Sequence, residues 1–256
     1  MAGILDSFKL DGKTAIVTGC GRGLGQGMSI ALAEAGADIF GVGYRADANE
    51  TKTRVEETGR RFEYMQADLA SIEPVPAIFE RAIARFGHVD ILVNNAGIIK
   101  RNDSTDLTEQ EWDEVMNVNL KSVFFMCQAA AKHFMARKSG GKIINIASML
   151  SFQGGIRVPS YTASKGGIKS LTMLLANEWA RYGINANSIA PGYMATDNTA
   201  LLRADAGRNA AILERIPAAR WGEPCDLAGA VVFLASRASD YVNGFTIAVD
   251  GGWLGR

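Results

Sequence analysis

Residues 14–35 read TAIVTGCGRGLGQGMSIALAEA, and the order of these residues decides the fold. Thr14–Thr18 is a short run rich in β-branched residues, the mark of a buried strand. It leads straight into Gly19-Cys20-Gly21-Arg22-Gly23-Leu24-Gly25, and a helical stretch follows from Gln26 to Ala35. Strand, glycine turn and helix in immediate succession form the context a dinucleotide fingerprint needs. Glycines let the backbone turn tightly and approach a pyrophosphate. The helix N-terminus then offers free N–H groups and the positive end of its dipole to the phosphates.

The same alternation continues along the chain. Asp38–Val42 reads as a second strand, Phe62–Ala67 as a third and Ile91–Val93 as a fourth, with a helix over Val75–Phe86. Thr108–Glu111 (TEQE) is a capping box that opens a long helix running to Arg137, and Gly140-Gly141 ends it. Lys142–Ala147 is a fifth strand, Tyr161–Tyr182 a helix, Asn185–Ile189 a sixth strand and Thr246–Val249 the last. Strands alternating with helices predict a parallel sheet covered on both faces. No linker, repeat or break in composition divides the chain, so residues 1–256 read as one domain.

The chemistry is concentrated in SMLSFQGGIRVPSYTASK, Ser148 to Lys165. Tyr161 and Lys165 are one helical turn apart on one face. Ser148 stands at the end of the fifth strand. A free tyrosine, with a pKa of about 10, is a poor base at neutral pH, and a fixed ammonium beside it favours the phenolate. Moving that pKa to about 7 takes about 4 kcal/mol. The serine hydroxyl would hold a substrate oxygen while the tyrosine exchanges its proton.

Composition narrows the alternatives. The chain has 256 residues, 48% of them hydrophobic, which is ample for one large α/β core. Formal net charge is zero and no long basic run exists, so nucleic acid gains no support as a partner. No run of eighteen apolar residues suggests a membrane span, and the N-terminus shows no apolar signal region. Cys20, Cys127 and Cys225 are far apart and lack metal-ligand spacing, and His88 and His133 are the only histidines. No metal site is expected, and a reducing cytoplasm fits.

The glycine spacing Gly19, Gly23, Gly25 is TGxxxGxG rather than GxGxxG. Followed by Asn94-Asn95-Ala96-Gly97 and by Tyr161-xxx-Lys165, it resembles the classical short-chain dehydrogenases/reductases, from Gly12 to the C-terminal Asp250-Gly251-Gly252. The resemblance implies a single-domain Rossmann fold, a doubly wound seven-stranded parallel sheet with helices on both faces. It implies an NAD(P)-dependent oxidoreductase in which Tyr161 exchanges the proton. Lys165 tunes Tyr161 and anchors ribose, Ser148 positions the substrate oxygen, and Asn119 completes a proton relay. The cofactor would lie on Gly19, Arg22, Gly23, Leu24 and Gly25, with Asp68, Leu69, Asn95, Ala96 and Gly97 on the adenosine side. Pro191, Gly192 and Thr196 would meet the nicotinamide end, beside Tyr161 and Lys165. Residues 193–215 would form a substrate lid.

The place after the second strand holds Gly43, Tyr44 and Arg45 and no acid for a ribose 2′-hydroxyl. Arg45 and Arg22 suit a 2′-phosphate or merely water. NAD is the expected cofactor by resemblance, with NADP as the alternative. A closer likeness, carried by VFFMCQAAAKHF, NSIAPGYMATDNT and SDYVNGFTIAVDGGWL, points to members of the family that act on deoxy sugar acids of the 2-keto-3-deoxygluconate or 2-deoxygluconate type in uronate catabolism. Arg101, Gln153 and Arg157, with Ser148 and Tyr161, are the expected substrate contacts, since arginine engages a carboxylate bidentately. A homotetramer is expected by resemblance. The rival enzyme is a 3-oxoacyl-carrier-protein reductase, for which Lys100 and Arg101 would form part of a docking patch. A non-catalytic dinucleotide-sensing module is the rival of another class, and the presence of both Tyr161 and Lys165 speaks against it.

Overall fold

The computed structural model describes residues 3–256. Its framework is one sheet of β1 (Thr14–Thr18), β2 (Asp38–Gly43), β3 (Phe62–Gln66), β4 (Ile91–Asn94), β5 (Gly141–Ile146), β6 (Ile184–Pro191) and β7 (Thr246–Val249). Every pairing is parallel, and the strand order is β3-β2-β1-β4-β5-β6-β7. Every residue of β1 and of β6 is buried, as expected of parallel strands with both faces covered.

Side chains alternate along each strand into two apolar layers. Ile16, Leu92, Ile143 and Ala186 enter one, with Met126 and Phe134 of α5 (Ser122–Arg137) and Leu175 of α6 (Pro159–Trp179). Ala15, Val17, Ile91, Val93 and Ile144 enter the other, with Met28 and Leu32 of α1 (Gly23–Glu34) and Leu234 of α9 (Ala228–Ala235). The one-residue offset between the sets is the period of two of a pleated strand. α2 (Asn49–Glu57) joins the second layer through Val55, and α3 (Val75–Phe86) joins the first through Ile78 and Phe79.

Strand order reverses between β1 and β4, which pair at Ala15↔Ile91. That switch point opens a crevice at the carboxyl ends of the strands, the usual ligand site in such sheets. The fold class matches the expectation, while element ends differ by a residue or a few. α1 begins at Gly23 rather than Gln26, and α6 begins at Pro159, whose fixed φ suits a first helical turn.

The long helix opened by the Thr108 capping box is not continuous. It runs as α4 (Glu109–Met116), a π-helical turn over Asn117–Lys121, and then α5. A π turn inserts one extra residue into the helix and re-aims the side chains beside it, and Asn119 lies within it. A third, small apolar cluster joins Met149 to Ile212 and Ile216 at the end of α8 (Ala206–Arg215) and to the C-terminal Trp253. It roots the segment after β6, which also includes the short α7 (Ala200–Ala204), on the loop after β5.

Candidate active site

The glycine loop is shaped by contacts that exclude side chains. A Cβ on Gly25 would lie 2.1 Å from the Gly19 carbonyl oxygen, and Gly19 and Gly23 have φ of +68° and +55°. Thr18, not singled out from sequence, anchors the loop: its Oγ1 accepts from the backbone N–H groups of Asn95 and Ala96, each at 3.0 Å. The Asn95 amide donates to the Thr18 and Gly19 carbonyls at 3.0 and 3.2 Å. Asn95 thus clamps the glycine loop to the exit of β4, while its neighbour Ala96 presents backbone.

The first turn of α1 carries no acidic residue and no side-chain cap, so its N–H groups remain available to an anion. These features fit a dinucleotide's pyrophosphate. Thr196 faces Gly23 across the cleft, its Cγ2 3.6 Å from where a Gly23 Cβ would stand. Gly192 packs on Asp250, where a Cβ would come within 2.5 Å of Asp250 Cα. Pro191 is the last residue of β6, Leu69 is buried, and Asp68 turns its carboxylate to the Ala70 N–H at 2.9 Å. Arg22, read as suited to a 2′-phosphate or merely to water, donates to Asp197 in the lid segment. The Arg45 carbonyl accepts from Tyr64 Oη at 2.7 Å, and the residue is exposed.

Ser148, Tyr161 and Lys165 meet at the end of β5. Ser148 is 8% exposed and caps a short 3-10 turn, accepting from the Leu150 N–H at 3.1 Å. Tyr161 is partly buried on the first turn of α6. Burial pushes its pKa up, and the Ser148 hydroxyl and the Arg101 charge pull it back down. Lys165 is 5% exposed and lies with Nζ 5.7 Å from the centre of the Tyr161 ring. Burial lowers its pKa to about 8. Its ammonium donates to the Ile146 carbonyl at 2.5 Å.

Asn119 is 1% exposed, and its amide is fully engaged. Its Oδ1 accepts from Ile98 N–H and its Nδ2 donates to the Ile98 carbonyl, both at 2.9 Å, and Nδ2 also reaches Ser164 Oγ at 3.3 Å. Ser164 Oγ in turn donates to the Tyr161 carbonyl at 2.8 Å. Gly97 fits beneath, where a Cβ would lie 3.3 Å from Asn119 Oδ1. The π turn therefore ties the chain after β4 to the helix that carries Tyr161.

The cations around the pocket divide sharply. Lys100 pairs with Glu114 at 2.7 Å, which takes it out of the docking patch the acyl-reductase reading needs. Arg157, at φ +62°, pairs with Asp103 at 3.1 Å. Among the described residues Arg101 donates only to a backbone carbonyl, that of Asn198, at 3.1 Å. Gln153 Oε1 accepts from Trp253 Nε1 at 3.2 Å and from Arg215 Nη2 at 3.4 Å.

Sequence reading missed this aromatic wall. Tyr193 stands edge-on to Trp253 and Trp221, with centroids 4.8 and 5.5 Å away, and Trp221 Nε1 donates to Asn209 Oδ1 at 2.7 Å. A tryptophan after the last strand, outside any periodic element, was the only signal for it. Among the described residues no cluster of ligands could hold a metal ion, and no helix is long and apolar enough to cross a membrane.

The chain is similar to known proteins along its whole length. The chain is 64% identical over 253 residues to the 2-dehydro-3-deoxy-D-gluconate 5-dehydrogenase of Escherichia coli K12, covering 99% of this chain and 100% of that protein. It is 62% identical to the protein of the same name from Dickeya dadantii, with the same coverage. The crystal structure of a gluconate 5-dehydrogenase from Burkholderia cenocepacia in complex with NADP and tartrate superposes with a TM-score of 0.94. It is 42% identical and covers 99% of this chain and 100% of that one. Residues 13–207 match the short chain dehydrogenase family, and the chain belongs to it.

Proposed function

We propose that this protein is an NAD(P)-dependent dehydrogenase of a small deoxy sugar acid, interconverting a hydroxyl and a carbonyl on a substrate of the 2-keto-3-deoxygluconate type. The carrying observation is the meeting of Ser148, Tyr161 and Lys165 at the switch-point crevice, in a chain alike along its whole length to dehydrogenases of that name. The nicotinamide supplies or accepts hydride when bound. Ser148 Oγ holds the reacting oxygen, and Tyr161 Oη gives or takes its proton. Lys165, charged below a pKa of about 8, favours the phenolate and offers an N–H to a ribose hydroxyl. Arg101 adds positive charge near Tyr161. Asn119 holds Ile98 and, through Ser164, the start of α6, so that the tyrosine and the cofactor crevice keep one geometry.

NAD is the working cofactor in this reading, with NADP the alternative. Arg22 is engaged by Asp197, while Arg45, after β2, has no carboxylate partner among the described residues and is the cation offered to a 2′-phosphate. Exposed apolar residues Met173 and Leu174 on α6, and Tyr241 and Phe245 before β7, suit contacts between subunits of a homotetramer, and a cytoplasmic location accords with the free cysteines. Initial rates with 2-keto-3-deoxygluconate, run in parallel with NAD and NADP, test the proposal. Turnover with NAD well above NADP is expected. Turnover favouring NADP would reverse the cofactor assignment alone. No turnover with either, using protein that binds cofactor, would overturn the substrate assignment.

A further inference from the structure

Several cations near the pocket are spent. Lys100, Arg157, Arg22 and Arg220 each have a carboxylate partner, in Glu114, Asp103, Asp197 and Asp226 respectively. Among the described residues, Arg101, Lys169, Arg203, Arg208 and Arg215 have no carboxylate within 4.0 Å; of these Lys169 lies over the Phe152 ring and Arg203 donates to the Thr196 carbonyl, while Arg215 is the one that reaches Gln153. Arg101 lies close enough to Tyr161 to favour its ionised form, so its charge serves the reacting oxygen. The acid group of the substrate, at the other end of the carbon chain, requires a different partner.

We propose that Arg215, on the last turn of α8, reads the substrate carboxylate together with the Gln153 amide, and is a specificity-determining residue of this enzyme. The proposal rests on the sugar-acid reading above. Its guanidinium carbon lies 4.1 Å from the centre of the Trp253 ring. A guanidinium held against an aromatic face keeps its in-plane N–H groups free for a bidentate carboxylate. Trp253 is itself buried and fixed, donating to the same Gln153 Oε1 that Arg215 reaches. That shared acceptor orients Gln153 and leaves its Nε2 without a partner among the described residues, free to donate to a second carboxylate oxygen.

The position is right as well. Gln153 belongs to the segment between Ser148 and Tyr161. The apolar cluster that seats α8 joins Ile212 and Ile216 to Met149, the neighbour of Ser148. On this proposal a substrate whose reacting carbon meets Ser148 and Tyr161 would extend along the Ser148–Tyr161 segment toward Gln153 and Arg215. Because Arg215 comes from the lid, the carboxylate would also draw the lid down on the pocket. An uncharged polyol would not.

The test compares Arg215→Met and Gln153→Met with the parent enzyme, on 2-keto-3-deoxygluconate and on an uncharged 3-deoxyhexitol. Losing a charge-assisted bidentate contact should raise KM for the acid about 10- to 100-fold. For Arg215→Met we expect kcat within about 3-fold, NAD affinity by fluorescence titration unchanged, and the polyol's kcat/KM unchanged, because only the carboxylate contact is lost. Arg215→Lys should recover part of the KM, which a merely structural role would not predict. Gln153→Met gives an independent arm should the Arg215 variant fold poorly. An active parent with KM for the acid within 2-fold in Arg215→Met or, if that variant is unfolded, in Gln153→Met, would overturn this proposal alone. A parent inactive on the acid while binding NAD would overturn the functional reading, and this proposal with it.

Discussion

Replacing Asn119 by alanine is the sharpest probe of how this site is built. The amide satisfies both backbone polar groups of Ile98, N–H and C=O, at 2.9 Å, in a place where the residue is 1% exposed. Alanine leaves both groups without that partner. An unsatisfied buried polar group costs about 1–3 kcal/mol, and because Ile98 is itself only half-buried the pair amounts to roughly 2–3 kcal/mol. For a domain of this size about 1 kcal/mol moves Tm by roughly 2–4 °C, so differential scanning calorimetry should show a fall of roughly 4–12 °C. Turnover should fall too, because Ser164 loses its Asn119 partner while still holding the Tyr161 carbonyl. Cofactor affinity should weaken along with it, since Ile98 follows the Asn95–Gly97 stretch of the crevice. A variant with Tm within about 2 °C of the parent but with turnover abolished would refute this reasoning. It would assign Asn119 to the proton path alone.

Three further outcomes follow from the geometry. Gly25→Ala places a methyl group 2.1 Å from the Gly19 carbonyl oxygen, so the loop must open; NAD affinity by fluorescence titration should drop more than about 10-fold, at a stability cost of about 1–3 kcal/mol. Unchanged affinity would deny the loop its role. Tyr161→Phe should lower turnover to below about a hundredth while leaving NAD affinity nearly intact, and retained turnover above that would remove Tyr161 from the proton step. Lys165 has its folded pKa lowered to about 8 from 10.5, so the fold favours the neutral amine and the unfolded chain binds more protons between those values. Parent stability should therefore rise with pH from about 8 to 10.5, by up to about 3 kcal/mol, while Lys165→Met lacks this rise. Urea midpoints at pH 7.5 and pH 10 measure it, and parallel changes in the two proteins would show that Lys165 is not buried as described.

Much of this was legible in the sequence because local rules and the global fold agree there. The run Thr14–Thr18, the glycines and the helix after them each have one reading, and the parallel sheet follows from their repetition. The long helix is where local reading stopped short. Its capping box at Thr108 was visible and its end near Arg137 was right, but nothing in NVNLK announces a π turn. That turn is set by what Asn119 meets across the fold, the backbone of Ile98, 21 residues away in sequence. The pocket cations failed to be legible for the same reason. Nothing local to Arg157 announces its pairing with Asp103, and Arg215 looks like any charged residue ending a helix until Trp253 and Gln153 are brought under it. Side chains that depend on a neighbour distant in sequence carry no local pattern.

Burial sets the electrostatic problem this site must solve. It pushes Tyr161 up and Lys165 down, each toward its neutral form, against the charge distribution that proton transfer needs. The fold answers with the Ile146 carbonyl on the ammonium and with Ser148 and Arg101 acting on the phenol. An acid substrate brings a negative charge into the same space. At about 8 Å, the far end of such a substrate, and an effective dielectric of about 20, one unpaired carboxylate would act on the phenolate with about 2 kcal/mol, roughly one and a half pKa units in the wrong direction. Pairing that carboxylate with a cation at the far end of the substrate removes most of the penalty, because a neutralised pair acts only as a dipole. With Arg101 favouring the ionised Tyr161 and Arg215 on the lid taking the carboxylate as proposed above, a tyrosine base would work on a charged sugar acid.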